Sequence, residues 1–257
     1  MPFTFPTHRL ALALPAAALA LGACSGLQAG GPSALGAIPC PKERPIAYVA
    51  VDISSTARST ELVDDRLQLV QSALTDTAKC GGDARVIAFA GSSTATRTLF
   101  DGSLQPEGAT TNARLRRVPK LVRTAMSQVR ANLTSAIRSL PGGGTDVLAQ
   151  FGLASEFREQ IGTTRPLTVY LATDGIQATS TLTLDRQGLT PGAAEALASR
   201  VTVPTLTNAA VTLAGIGRVA GVAPATTFTD ALKHFWTVAC RRTSAICVVV
   251  SDFAAEG

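Results

Sequence analysis

The sequence predicts an α/β fold: a doubly wound, mostly parallel sheet with helices on both faces and one antiparallel edge strand. Two observations carry this expectation. Short, unbroken apolar runs recur along the chain, as strands covered on both sides require. Between them lie stretches with apolar residues at three- and four-residue spacing, the period of an amphipathic helix. Strands alternating with helices imply right-handed crossovers and a parallel sheet.

Taken in order, the first run is 46–51, and the same grammar returns at 85–90, 167–172, 211–216 and 246–250. Val63, Leu67, Val70 and Leu74 mark the first helix, with Glu61, Asp64 and Asp65 supplying the acid that a helix N-terminus favours. Residues 98–104, around Asp101-Gly102, read as a tight hairpin that forms the antiparallel edge. A long helical period passes through Val122, Met126, Val129, Leu133, Ile137 and Leu140, with Pro119 near its start and the triplet Gly142-Gly143-Gly144 at its end. Another uses Val147, Phe151, Ala154, Phe157 and Ile161, and a last one Leu232, Phe235, Trp236 and Ala239, where Trp236 reads as core. Residues 179–203 are the least legible and fit an insertion that shapes one face of the sheet. The chain has no internal repeat.

Five oxygen-bearing side chains stand where these elements give way to loops: Asp52, Ser54 and Thr56 after the first run, Thr145 after the glycine triplet, and Asp174 in Ala172-Thr173-Asp174-Gly175. In open α/β sheets ligands collect beyond the carboxyl ends of strands, where strand order reverses. Adjacency of the 46–51 and 167–172 strands would bring Asp52 and Asp174 to one crevice. Two carboxylates and three hydroxyls, without Cys or His, suit Mg²⁺ or Mn²⁺ better than Zn²⁺. The bland alternative is that both aspartates cap turns and the glycines merely stop a helix.

The pattern Asp52-x-Ser54-x-Thr56, then Thr145, then Asp174-Gly175 resembles the metal-ion-dependent adhesion site of the von Willebrand factor type A (vWA) domain, over roughly residue 45 to the C-terminus. Thr56 departs from the Ser most often found there. The resemblance implies that Ser54, Thr56 and Thr145 contact the ion through hydroxyls while Asp52 and Asp174 hold it directly or through water. Neutral hydroxyl ligands would leave the ion positively charged with an open coordination position, which an acidic side chain of a protein partner could fill.

Residues 1–23 carry a single Arg9, an apolar run at 10–21 and small residues before Cys24, the layout of a secretory signal too short to span a bilayer. Leu21-Gly22-Ala23-Cys24 looks like a bacterial lipobox in which Cys24 would be acylated; a plain cleavage site with an incidental Cys is the alternative. The expected organisation is 1–23 signal, 24–44 flexible tether and 45–257 vWA-like domain, exported and held at the envelope by the lipid. Of the five cysteines, the four after Cys24 allow three pairings. Geometry favours Cys40 with Cys80 and Cys240 with Cys247, each joining a strand entrance to the end of a neighbouring helix; buried free thiols compete with this.

The formal charge of +5, reduced by one when Arg9 leaves, does not call for nucleic acid. The cluster Arg114, Arg116, Arg117, Lys120 and Arg123 reads first as a solvated helix face and second as a docking patch for acidic lipid or polymer. Catalysis is not expected. A phosphatase of the haloacid-dehalogenase type needs a second Asp where Ser54 stands, His8 leaves with the signal, and His234 is isolated on a helix without a nucleophile elbow. The expected function is therefore metal-dependent binding of a protein partner. A metal-free interaction scaffold, a metal-dependent phosphoesterase and a solute-binding lipoprotein are the alternatives, the last weakened by the lack of a second lobe.

Overall fold

β1 (Ile46–Asp52) is buried along its whole length, as its apolar sequence demands of a central strand. In the computed structural model, which describes Met1 and residues 40–92, 95–140, 143–161, 165–184 and 188–253, it is flanked by parallel strands on both sides. Residues 2–39, on which the expected signal, Cys24 and most of the expected tether fall, lie outside the described residues, as do Gly142 and Asp185. The described residues from Cys40 to Phe253 belong to one compact unit. No helix among the described residues is long and apolar enough to cross a membrane.

The sheet adds β2 (Asp83–Phe89), β3 (Thr96–Ser103), β4 (Leu167–Ala172), β5 (Ala209–Ala214) and β6 (Ile246–Val250) in the order β3-β2-β1-β4-β5-β6. Every pairing is parallel except β2 with β3. This is the expected doubly wound, Rossmann-like α/β class with its antiparallel edge. The edge itself corrects the reading of Asp101-Gly102 as a hairpin turn. Both residues sit inside β3, opposite Arg85 and Ala84, and Asp101 is held there by the Arg85 guanidinium at 2.7 Å. The chain reverses earlier, between β2 and β3, where Ala90 N–H bonds Ala95 O at 3.1 Å.

Helices α1 (Thr60–Lys79), α2 (Thr111–Leu115), α3 (Val118–Ser139), α4 (Leu148–Gln160), α5 (Pro191–Ala198) and α6 (Thr226–Arg241) complete the domain. The Ser59 hydroxyl caps α1 by accepting the Leu62 N–H at 3.2 Å, and Pro119 sits in the first turn of α3, where its missing N–H costs nothing. Alternate β1 residues feed two cores. Ala47, Val49 and Val51 pack with Leu67, Val70 and Leu74 of α1 and Val122, Met126 and Val129 of α3. Ile46, Tyr48 and Ala50 pack with Phe151 and Phe157 of α4 and with Phe235 and Trp236 of α6. The segment 179–203 contributes α5, which lies against α6 and buries Ala194 and Ala198.

Both expected disulfides are present, Cys40–Cys80 and Cys240–Cys247, with Cα separations of 5.4 and 6.1 Å. They sit at the end where the strands enter. The first closes a 40-residue loop and the second only 7, so chain entropy assigns them about 4 and about 2 kcal/mol respectively. Replacing Cys40 and Cys80 by Ser should therefore lower the unfolding free energy in urea by about twice as much as replacing Cys240 and Cys247.

Candidate functional site

β1 ends at Asp52 and β4 at Ala172, two residues before Asp174. Their parallel register places these chain ends side by side, at the point where the sheet's order reverses direction. Asp52 and Asp174 are both fully buried. One oxygen of each closes its own turn: Asp52 Oδ1 accepts the Ser54 N–H and Asp174 Oδ1 accepts the Ile176 N–H, both at 2.9 Å. To that extent the turn-capping alternative is right. Asp52 Oδ2 accepts the Thr173 hydroxyl at 2.7 Å, tying the two loops together. Asp174 Oδ2 is different: it is buried and accepts no well-formed hydrogen bond among the described residues, and the Thr56 hydroxyl is the side-chain donor that acts on this carboxylate.

The hydroxyls arrange around this pair unequally. Ser54 Oγ and Thr56 Oγ1 lie 3.4 Å apart, on the loop that turns through the single 3₁₀ turn Ser55–Ala57. Ala220 N–H donates to Thr56 O at 2.7 Å, bracing that loop from beyond β5. Thr145 joins at one remove: its backbone exchanges two hydrogen bonds with Ala178, at 3.1 and 2.9 Å, rather than bonding either carboxylate. Gln177 clamps the same junction by accepting the Val147 and Leu148 N–H groups, at 2.8 and 3.1 Å, and donating to Asp146 Oδ1 at 3.0 Å.

Beneath the Asp174 loop, Trp236 of α6 donates its indole N–H to Gly175 O at 2.8 Å. Gly175 has φ +75°, and a Cβ there would stand 2.8 Å from the indole nitrogen, so glycine is required by both conformation and space. Burial, and then the neighbouring Asp52 carboxylate, push Asp174 up to about 6, against the smaller pull of the Thr56 hydroxyl, the Ile176 N–H and Arg66. Two like charges in a dry crevice are costly unless something positive joins them.

Arg66, which pattern reading passed over, is part of that answer. It is fully buried in the apolar stripe of α1 between Leu62 and Val70, and a lone cation on such a stripe was the available signal. One terminal nitrogen donates to Ala57 O, just past Thr56, while Nε and the other terminal nitrogen have no partner. Burial lowers its pKa, and Asp52 and Asp174 oppose that shift. Its guanidinium carbon lies 5.5 Å from the Phe253 ring centre. Thr173 and Gln177 were missed as well. Thr173 directly precedes Asp174, whereas nothing in the local pattern distinguishes Gln177.

Among the described residues no three His, Cys, Asp or Glu side chains gather as a metal-holding group. The donors here are two carboxylates and hydroxyls, hard oxygen throughout, and the unpartnered Asp174 Oδ2 fits a small divalent cation. Arg66 counts against strong affinity.

No protein-family model matches the chain, and no curated protein does. Solved structures align with much of the chain at low identity and with TM-scores below 0.5. A conserved hypothetical protein, BatB from Bacteroides thetaiotaomicron, aligns over 80% of this chain and 90% of its own, with TM-score 0.44 and 16% identity. The pilus adhesin SpaC from Lactobacillus rhamnosus GG aligns over 83% of this chain and 28% of its own (0.42, 12%). Manganese-loaded TRAP protein from Plasmodium vivax aligns over 74% and 63% (0.37, 14%).

Because the folded Asp174 holds its proton more tightly than the ordinary 3.8, its contribution to stability is fully present below about pH 4 and lost as pH rises through about 6. In chelator, Asp174→Asn should remove a pH-dependent loss on the order of 2 kcal/mol between those limits, read by urea denaturation of variant and parent in parallel.

Proposed function

We propose that this chain is an exported, lipid-anchored vWA-like domain that binds an acidic protein partner through a divalent cation, Mg²⁺ or Mn²⁺, without catalysis. The observation that carries the reading is the buried, unpartnered Asp174 Oδ2 beside a second buried carboxylate, Asp52. Ser54, Thr56, Thr145, Asp52 and Asp174 would hold the ion, and the ion would present positive charge to a partner carboxylate. The residues themselves do the positioning. Thr173 locks Asp52, Trp236 fixes the Asp174-Gly175 turn, and Ala220 braces Thr56. The threonine methyl at Thr56 adds bulk to the loop without removing a donor. Two disulfides support an oxidising compartment outside the cytoplasm, which agrees with a signal at 1–23 and acylation of Cys24.

Arg66 favours a second reading, a scaffold that works without metal. Its buried charge already offsets part of the Asp52 and Asp174 repulsion, so the crevice is less dependent on a cation than two carboxylates alone would be.

Asp52→Ala and Asp174→Ala should each abolish Mn²⁺ binding in titration calorimetry while the circular dichroism of the domain is unchanged; wild-type affinity in either variant would refute the assignment. Arg66→Met separates the two readings. It should tighten Mn²⁺ binding at least tenfold and lower stability in chelator by about 3 kcal/mol if Arg66 is the internal counter-charge, whereas a parent and variant that both ignore Mn²⁺ would favour the metal-free scaffold.

A further inference from the structure

The end of the domain opposite the carboxylates carries a basic groove of about 460 Å³. Cys40, Cys80, Arg44, Lys79, Arg114 and Leu115 line it, so the Cys40–Cys80 bridge forms part of its wall. α2 brings Arg114 and the 42%-exposed Leu115 to this wall, and Arg116 and Arg117 follow on the turn into α3. The topology explains the location. β3 runs antiparallel to β2 and ends at Ser103, opposite Asp83 where β2 begins, so α2 starts at the strand-entrance end. Seven residues of β1, at about 3.3 Å each, separate that end from Asp52 by roughly 20 Å.

Little acid offsets these cations. Lys79 pairs with Asp76 at 2.8 Å and Arg117 with Glu107 at 3.6 Å, both well exposed and therefore weak; Glu43 stands next to Arg44 in sequence, and Asp83, two residues past Gly81, is taken up by Arg165 at 2.5 Å. Arg44, Arg116 and Lys120 have no ion-pair partner among the described residues. A single exposed leucine set among arginines suits an interface that is charged at its surface and apolar just beneath.

We infer that this groove and the adjoining α2–α3 turn dock on an anionic lipid surface, which turns the carboxylate crevice away from the membrane. The orientation rests on the lipid-anchored reading above; the docking chemistry does not. Cys24 precedes Cys40 by about 16 residues, a length that reaches no further than roughly 55 Å whatever its conformation. An acyl chain on Cys24 would thus keep the domain within reach of the bilayer, and because the tether joins at Cys40, in the wall of the groove, the basic end is the one presented when each Lys or Arg adds attraction for anionic headgroups. A soluble polyanion could satisfy the charges alone, but it would leave Leu115 without a role.

The test uses residues 24–257 carrying Cys24→Ser, so that no acyl chain takes part, in chelator so that no metal does. Co-sedimentation should show binding to vesicles of phosphatidylcholine with phosphatidylglycerol, little binding to phosphatidylcholine alone, and a steep loss with added salt. The triple variant Arg114→Gln, Arg116→Gln, Lys120→Gln should bind on the order of a hundredfold more weakly, with its melting temperature unchanged, and Leu115→Ser should weaken binding at fixed charge. Asp174→Ala should bind as the parent does. Equal binding to both vesicle types, parental binding by the triple variant, or capture by soluble dextran sulfate without vesicle binding would each overturn the inference. Mass spectrometry of Cys24 from the envelope, and calorimetry with Mn²⁺, report separately on the anchor and on the metal.

Discussion

The parallel pairing of β1 with β4 is the constraint on which the site depends. It brings two chain ends together at the place where the sheet changes direction, and each end carries an aspartate with no exposed surface. Repulsion and lost hydration both penalise such a pair. The surrounding residues read as answers to that penalty. Each carboxylate gives one oxygen to its own turn, Thr173 of the Asp174 loop donates its hydroxyl to Asp52, and Arg66 lends positive charge from the helix that follows β1. One oxygen is left over.

The same geometry separates tasks along the sheet. The disulfides and the basic groove occupy the end where strands enter, and the oxygen cluster occupies the end where they leave. Cross-links at the entrance stiffen the frame without touching the loops that must meet a ligand. Loops at the exit are braced instead by hydrogen bonds from distant segments, as Ala220 does for Thr56 and Gln177 for the start of α4.

Much of this was legible from residue patterns because the central strands are covered on both faces, so that their apolar runs are unbroken, and because α1, α3 and α6 each have a sharp apolar stripe. Legibility fell where a second signal competed. Asp101-Gly102 has turn-forming chemistry, yet the Arg85 ion pair and the ladder with β2 keep it extended. α5 is Pro-Gly-Ala-Ala-Glu-Ala-Leu-Ala, short and built mostly of small residues with one leucine, so no stripe stands out; it forms because Thr190 caps it and α6 offers a surface. The five oxygen-bearing residues were found by the order of their motifs. Arg66 was not, since patterns of apolar spacing ignore an interruption that proves to be buried.

The hydrogen bond from Trp236 to Gly175 has one more consequence. Trp236 is the sole tryptophan of the chain, and its indole nitrogen touches the turn that carries Asp174. Fluorescence excited at the red edge of the indole band, where tyrosine and phenylalanine do not absorb, therefore originates at a single ring in contact with the crevice. Any event that shifts the Asp174-Gly175 turn is transmitted to that chromophore, so the native chain is its own optical probe of this loop and needs no dye.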